Sequence, residues 1–278
     1  MRKYRAVIRG AGDLASGVAL RLYRAGFQIA MTDLANPTAV RRTVSFSEAV
    51  RCGTARVEEV EAVLAARAAD AWNLCESGKI AILIDPSGEC VSCLKPDLLV
   101  DAIMAKKNLG TTLDDAPVVI GVGPGFTAGV DCHAAVETKR GHSLGRALYN
   151  GTPIADTGIP GVIGGYAGER VIKAPADGIF HPLEEIGNMV EKGEQVGFLT
   201  ALDFSGCAAS DVQKMAVTCS VSGVLRGILP EGTPVIKGMK SGDVDPRGIP
   251  AYCFTVSDKA LAVGGGVLEA AIHFLQRL

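Results

Sequence analysis

Short apolar runs, each closed by glycine, proline or a carboxylate, recur through the first half of the chain. Val7-Ile8, Phe27 to Met31, Ile80 to Ile84, Asp97 to Ala102 and Pro117 to Val122 read as strands buried on both faces, the usual form of parallel strands. Between the first two, Val18, Leu22 and Ala25 recur at helical spacing, and Gly26 ends the helix. Val57, Val60, Leu64, Ala68 and Leu74 predict another helix within residues 57 to 77. This alternation favours one α/β sheet reaching to about residue 150.

Beyond that point the pattern changes. IKAPADGIFHPLEEIGNMVEKGEQVGFL from Ile172 and TCSVSGVLRGILPEGTPVIKGMKSGDV from Thr218 align at a single offset. Gly178 pairs with Gly223, Gly187 with Gly232, Val190 with Val235, Lys192 with Lys237 and Gly193 with Gly238, each 45 residues apart. A fixed register signals a duplicated β unit. AVGGGVLEAAIHFLQRL predicts a closing helix from about Leu268. GTPIADTGIPGVIGGYAGE, rich in glycine and proline, reads as a hinge or as part of a ligand loop. The expected organisation is a nucleotide-binding domain over 1–168 and a β-rich duplicated domain with the terminal helix over 169–278.

Chemistry enters at the turns. In RAVIRGAGDLASGVALRLYRAGFQIAMTD, Gly10-x-Gly12-x-x-Ala15 follows a strand and opens a helix, and Asp33 closes the next strand where a carboxylate accepts ribose hydroxyls. The helix N-terminus offers unpaired N–H groups to an anion. Asp13 complicates this: it would repel a pyrophosphate, unless it caps the helix or faces a sugar or a metal. Asp85, Asp101 and the Gly121-x-Gly123-Pro124-Gly125 loop fall at the carboxyl ends of the other strands. The second loop is either a tight turn or an anion-binding nest, and the two loops share one ligand or hold two side by side.

Downstream, His133, Glu137, Arg140 and His142 form a candidate acid/base and anion-clamp set, with His133 and Glu137 on one face if residues 132 to 138 are a strand. Cys90 and Cys93 read as a redox pair, half a metal site, a thiol acceptor, or two loop thiols. No residues show a metal-ligand spacing of known type.

Composition narrows the class. The 278 residues are 48% hydrophobic and 21% charged, enough for a sizeable core, with net charge −2 and pI ≈ 6.1. Scattered basic residues argue against nucleic acid or an anionic membrane as partner. No apolar run approaches a membrane span and the N-terminus lacks signal-peptide features, so a cytoplasmic protein is expected. Eight cysteines, mostly far apart, do not make a disulfide framework.

RGAGDLASGVA, NPTAVRRTVSFSEAV, LVDAIMAKKNLGT, VIGVGPGFTAGVDCHAAVETKRGHSLGR, DTGIPGVIGG and ERVIKAP together resemble the selenium-dependent molybdenum hydroxylase accessory family. That resemblance implies a maturation factor that holds a molybdopterin dinucleotide or a selenium intermediate for an apo-hydroxylase. The first half also looks distantly like xanthine dehydrogenase maturation proteins, and the repeat looks like the halves of biotinyl and lipoyl domains. The linker Gln213-Lys214-Met215 lacks the methionine pair that flanks a carrier lysine in those domains.

The expectation is therefore an α/β protein, a Rossmann-like doubly wound parallel sheet followed by a small barrel-sandwich-like β domain. Expected cofactor-binding residues are Gly10, Gly12, Asp13, Ala15, Asp33, Asp101, Gly121, Gly123 and Gly125. Expected catalytic residues are Glu137, Arg140, His142, Cys90 and Cys93, and no metal site is expected. The cofactor stays open, with molybdopterin dinucleotide, which the resemblance suggests, and NAD as candidates, and a homo-oligomer is compatible. The alternatives are an NAD(P)-dependent oxidoreductase, favoured by Asp33, and a protein-docking role for the C-terminal repeat.

Overall fold

A computed structural model describes residues 3–156, 158, 161–201 and 214–278. The chain forms two compact units. The first comprises Met1–Pro37, Val44–Gly158 and Val256–Leu278, the second Thr38–Thr43 and Ile159–Thr255.

The first unit is built on one sheet. Its strands are β1 (Arg5–Arg9), β2 (Gln28–Asp33), β3 (Thr54–Val57), β4 (Val60–Leu64), β5 (Ile80–Ile84), β6 (Leu98–Asp101), β7 (Val118–Val122), β8 (Ala134–Val136) and β9 (Ala147–Leu148), in the order β3-β4-β5-β2-β1-β6-β7-β8-β9. The strands from β4 to β8 pair parallel, whereas β3 on β4 and β9 on β8 are antiparallel. The chain fills one side of β1 first, then crosses to build the other from β6 onward.

Among the described residues five α-helices belong to this unit: α1 (Asp13–Arg24), α2 (Glu48–Cys52), α3 (Ala71–Glu76), α4 (Cys90–Leu94) and α5 (Asp258–Leu275). Alternation along the strands decides which face each residue covers. Ala6, Ile8, Ile29 and Met31 pack with Val18 and Leu22 of α1 and with Val263 and Val267 of α5. Val7, Ala30, Ala81, Leu99 and Val119 point the other way, onto Ala71 and Cys75 of α3 and Cys90 and Leu94 of α4. Both faces are covered, so the strands read as unbroken apolar runs.

Helices α1 and α5 approach closely through small residues. A Cβ on Gly17 would stand 2.6 Å from Ala260 Cβ, and one on Gly264 would stand 2.7 Å from Gly17 O. Glycine inside a helix costs about 1 kcal/mol relative to alanine. Here that cost is offset by contact between the two backbones.

The second unit consists of β10 (Val171–Lys173), β11 (Gly178–Pro182), β12 (Met189–Val190), β13 (Gln195–Thr200), β14 (Met215–Thr218), β15 (Gly223–Ile228), β16 (Thr233–Val235) and β17 (Lys240–Asp245). They form two antiparallel sheets, β10-β17-β15-β12 and β14-β13-β11-β16. Strands β11 and β15, like β13 and β17, begin 45 residues apart. Each sheet takes two strands from each copy of the repeat. Gln213 of the linker lies outside the described residues, while Lys214 places its ammonium 4.6 Å from the Phe198 ring centre.

Several expectations are corrected here. The architecture is not a doubly wound parallel sheet followed by a barrel-sandwich. It is a nine-stranded mixed sheet with an antiparallel strand at each edge, plus two four-stranded antiparallel sheets. Residues 57 to 77 are not one helix, because Val60-Glu61-Ala62-Val63-Leu64 alternates as a strand and turns back at Glu58, which has a φ of 53°. The closing helix starts at Asp258, ten residues before Leu268, and belongs to the first unit rather than to 169–278. Its N-cap is Ser257, whose hydroxyl accepts the Ala260 N–H at 3.2 Å. Among the described residues no helix is long and apolar enough to cross a membrane.

Candidate functional site

The carboxyl ends of the parallel strands carry the polar residues that the sequence singled out. Gly10 follows β1 with a φ of 93°, and a Cβ there would lie 2.9 Å from Ala102 O, beyond β6. Two loops therefore leave the sheet side by side on either side of the crossover. Gly12 caps α1 with a φ of −67° and without a side-chain hydrogen bond, and Asp13 begins the helix. Ala15 is buried on the inner face, where its small side chain lets the helix sit close to the sheet.

Asp33, at the end of β2, reaches back to this loop. Its Oδ2 accepts the Ala11 N–H at 3.2 Å and its Oδ1 the Leu34 N–H at 2.7 Å. Burial raises its pKa above the ordinary carboxylate value, against the pull of these two hydrogen bonds. Each oxygen keeps a second lone pair, so the carboxylate retains capacity for two further donors.

The neighbouring acids serve the fold. Asp101 is buried and accepts from Thr111 Oγ1 at 2.6 Å and from Arg9 Nη1 at 3.4 Å. Its acceptor capacity goes to an internal ion pair. Asp85 accepts the N–H groups of Gly88, Glu89 and Cys90 and so fastens the start of α4. Burial alone would raise its pKa, but these hydrogen bonds hold it below the usual range.

Cys90 is buried, and its thiol is pushed up, first by burial and then by the Asp85 carboxylate. Cys93, one turn later, is exposed and points its Sγ at Cys90 O, 3.1 Å away. Cys90 thus lacks the accessible thiolate that redox or group-transfer chemistry requires.

The second glycine loop has internal reasons for its glycines. A Cβ on Gly121 would collide with the Phe126 ring, one on Gly123 would meet Thr138 Oγ1 at 3.0 Å, and one on Gly125 would meet the Lys107 backbone at 2.6 Å. The loop is packed against its own neighbours.

The acid/base set divides between the two ends of the sheet. Strand β8 covers only Ala134–Val136, so His133 precedes it and Glu137 follows it. His133 Nδ1 accepts the Val119 N–H at 3.0 Å, its ring packs on Phe274 near the end of α5, and burial pulls its pKa down. It lines a shallow groove of about 610 Å³ with Lys95, Asp97 and Asp115, at the amino ends of β6 and β7. Glu137, by contrast, is buried at the glycine-loop end, with Oε1 accepting the Lys139 N–H and Oε2 the Ile154 N–H, both at 2.7 Å. Arg140 grips Asp258 at 2.7 and 3.0 Å, and His142 is exposed in the following turn.

One residue missed in the sequence belongs to this end. Lys259, in the first turn of α5, is partly buried and lies within electrostatic reach of Asp13, Glu137, Arg140 and Asp156. The signal was the Ser257-Asp258-Lys259-Ala260 helix start, obscured by the three glycines that follow at 264–266. Among the described residues, no group of three or more His, Cys, Asp or Glu side chains is placed to hold a metal ion.

No family model matches the chain. The uncharacterized protein YqeB of Escherichia coli strain K12 is 46% identical over 271 residues, which cover 98% of this chain and 48% of YqeB. The chain thus spans about half the length of this curated relative. Among solved structures, an aspartoacylase family protein from Mesorhizobium loti aligns over 87% of this chain and 85% of its own, with 11% identity and a TM-score of 0.30. A succinylglutamate desuccinylase/aspartoacylase from Rhodobacter sphaeroides covers 87% and 84%, with 12% identity and a TM-score of 0.30. The product-bound ectoine utilization protein EutE of Ruegeria pomeroyi covers 87% and 85%, with 11% identity and a TM-score of 0.27.

None of these is described as a molybdenum hydroxylase accessory protein, and the 46% identical relative is uncharacterized. No family model matches and the curated relative YqeB carries no such role, so the family resemblance read from the sequence is corrected. With it go the maturation role, the selenium intermediate, the molybdopterin dinucleotide and the apo-hydroxylase partner.

Proposed function

We propose that the first unit binds a nucleotide-type small molecule at the carboxyl ends of β1 and β2, with Gly12, the first turn of α1 and Asp33 as its contacts. The observation that carries this reading is Gly12. Its φ of −67° suits any residue, and a Cβ there would meet nothing within 4 Å. Neither backbone strain nor packing among the described residues calls for glycine at this position. A ligand brought against the backbone does, and the helix end behind it offers N–H groups and a partial positive charge.

Two further features support the same place. Open α/β sheets hold ligands beyond the carboxyl ends of their strands, where the chain switches sides, and here that point is β1. Asp33 keeps acceptor capacity on both oxygens, which suits a ribose diol.

Gly12→Asp tests the reading. Aspartate is a preferred N-cap, so α1 is retained or strengthened, while the added charge repels an anion at the helix end. Calorimetric titration with NAD, ADP, GDP and CDP is expected to show binding to the wild-type chain and a loss of about tenfold or more in the variant. Equal affinity in both proteins, with the fold intact by circular dichroism, would remove Gly12 from the site.

A further inference from the structure

Three of the charged residues within electrostatic reach of Lys259 are paired elsewhere. Glu137 spends its oxygens on two backbone N–H groups, Asp156 pairs with Lys106 at 2.7 Å, and Arg140 pairs with Asp258. Among the described residues the Lys259 ammonium has no hydrogen-bond or ion-pair partner, although it lies close enough to Asp13, Glu137, Arg140 and Asp156 to feel their charges.

Packing holds the lysine at this spot. The contact of Gly17 with Ala260 pins the first turn of α5 to α1, and a Cβ on Gly145 would collide with Ala262 O. The Arg140–Asp258 pair ties the same turn to the segment after β8. Lys259 thus stands in a fixed frame between the start of α1 and the end of β8. A cation deprived of part of its water and without a hydrogen-bonded counter-ion among the described residues is available to an anion from outside.

We propose that Lys259 is the cation that receives the phosphate of the ligand at the glycine loop, and that the site therefore selects phosphate-bearing nucleotides over nucleosides. The inference rests on the nucleotide-binding reading above and adds to it the residue that sets the ligand's charge. It also accounts for Asp13, whose repulsion of a phosphate is offset by an ammonium within reach of its charge.

Protonation gives a second handle. Burial, ahead of the neighbouring charges, lowers the Lys259 pKa below the ordinary lysine value, and the like charge of Arg140 pushes the same way against Asp13, Glu137 and Asp156. A bound phosphate favours the protonated form. Affinity for phosphate-bearing ligands is therefore full while Lys259 is charged and declines as pH rises through its lowered pKa, before the ordinary lysine value of about 10.4 is reached.

The experiment is a calorimetric titration of the full chain with ADP, GDP, CDP and NAD beside adenosine, guanosine and cytidine. Wild type is expected to prefer at least one phosphate-bearing probe over its nucleoside. Lys259→Gln should cut that preference about tenfold or more and leave nucleoside affinity unchanged, while Lys259→Arg restores most of it. The decline of affinity as pH rises toward the ordinary lysine value of about 10.4 should vanish in Lys259→Gln. If wild type binds phosphate-bearing probes and Lys259→Gln binds them equally well with the same pH profile, the role of Lys259 is overturned and the binding site stands. If no probe binds wild type, the nucleotide reading itself is overturned and the role of Lys259 falls with it.

Discussion

Arg140 closes on Asp258 with both terminal guanidinium nitrogens, at 2.7 and 3.0 Å, and so joins the turn after β8 to the first residue of α5. Asp258 is 72% exposed, so water and salt weaken the pair. Arg140→Gln is expected to lower unfolding stability by less than about 1 kcal/mol, with the difference shrinking further in high salt. Urea titrations at two ionic strengths measure this directly. A loss several times larger would mean that the frame around Lys259 depends on Arg140 more than its exposure implies.

The contact of α1 with α5 should be far less forgiving. Gly17→Ala places a methyl 2.6 Å from Ala260 Cβ, and both backbones must separate to accept it. Overpacking of this kind costs about 1–3 kcal/mol. The denaturation midpoint of Gly17→Ala reads that loss, and a wild-type midpoint would show that the helices slide apart without cost.

In the second unit, Asp243 is buried between two guanidinium groups. It accepts from Arg170 at 2.6 Å and from Arg226 Nε at 2.8 Å. Asp243→Ala leaves two buried cations short of their counter-ion and should destabilise the chain by about 3–5 kcal/mol. Chemical unfolding followed by circular dichroism checks the value.

The next carboxylate on the same strand supplies a pH dependence. Burial alone would raise the Asp245 pKa, but hydrogen bonds from Arg247 and the charges of Arg226 and Arg247 outweigh it and hold the pKa below the ordinary range. A carboxylate lowered on folding contributes stability above its unfolded pKa of about 3.9, and that contribution is lost as pH falls through the folded value. Stability measured from about pH 6 down to pH 2 should therefore fall less steeply in Asp245→Asn than in wild type.

Thiol labelling separates the cysteines. Cys52 and Cys93 are exposed, whereas burial pushes the pKa of Cys75 and of Cys132 up to about 11 and also raises that of Cys90. Alkylation of the native chain, located by peptide mass spectrometry, should mark Cys52 and Cys93 well before those three. Early labelling of Cys90 would restore the pair as a candidate for chemistry.

The unevenness of the sequence reading has physical causes. Strands β5 and β7, and the interiors of β1 and β6, are unbroken apolar runs because both faces of the sheet are covered, and that pattern shows at short range. The segment 57 to 77 misled because Val57, Val60 and Leu64 fit a helical period and a hairpin equally well until the turn at Glu58 is seen. The glycines at 121, 123 and 125 resembled those at 10 and 12, yet the first group makes room for Phe126, Thr138 and Lys107, and Gly12 makes room for nothing among the described residues. Lys259 was invisible for a different reason: its meaning comes from residues more than a hundred positions earlier, which only packing brings beside it.

The late position of α5 has a consequence for synthesis. The helix that covers α1 and carries Lys259 emerges only after Ile159–Thr255, all of the second unit's long segment, has left the ribosome. Until then Val18 and Leu22 of α1 lack their partners Val263 and Val267. A nascent chain at that stage presents an apolar helix face to the cell, and a premature stop within the second unit leaves it so permanently. Such a product is a natural client for chaperones and proteases.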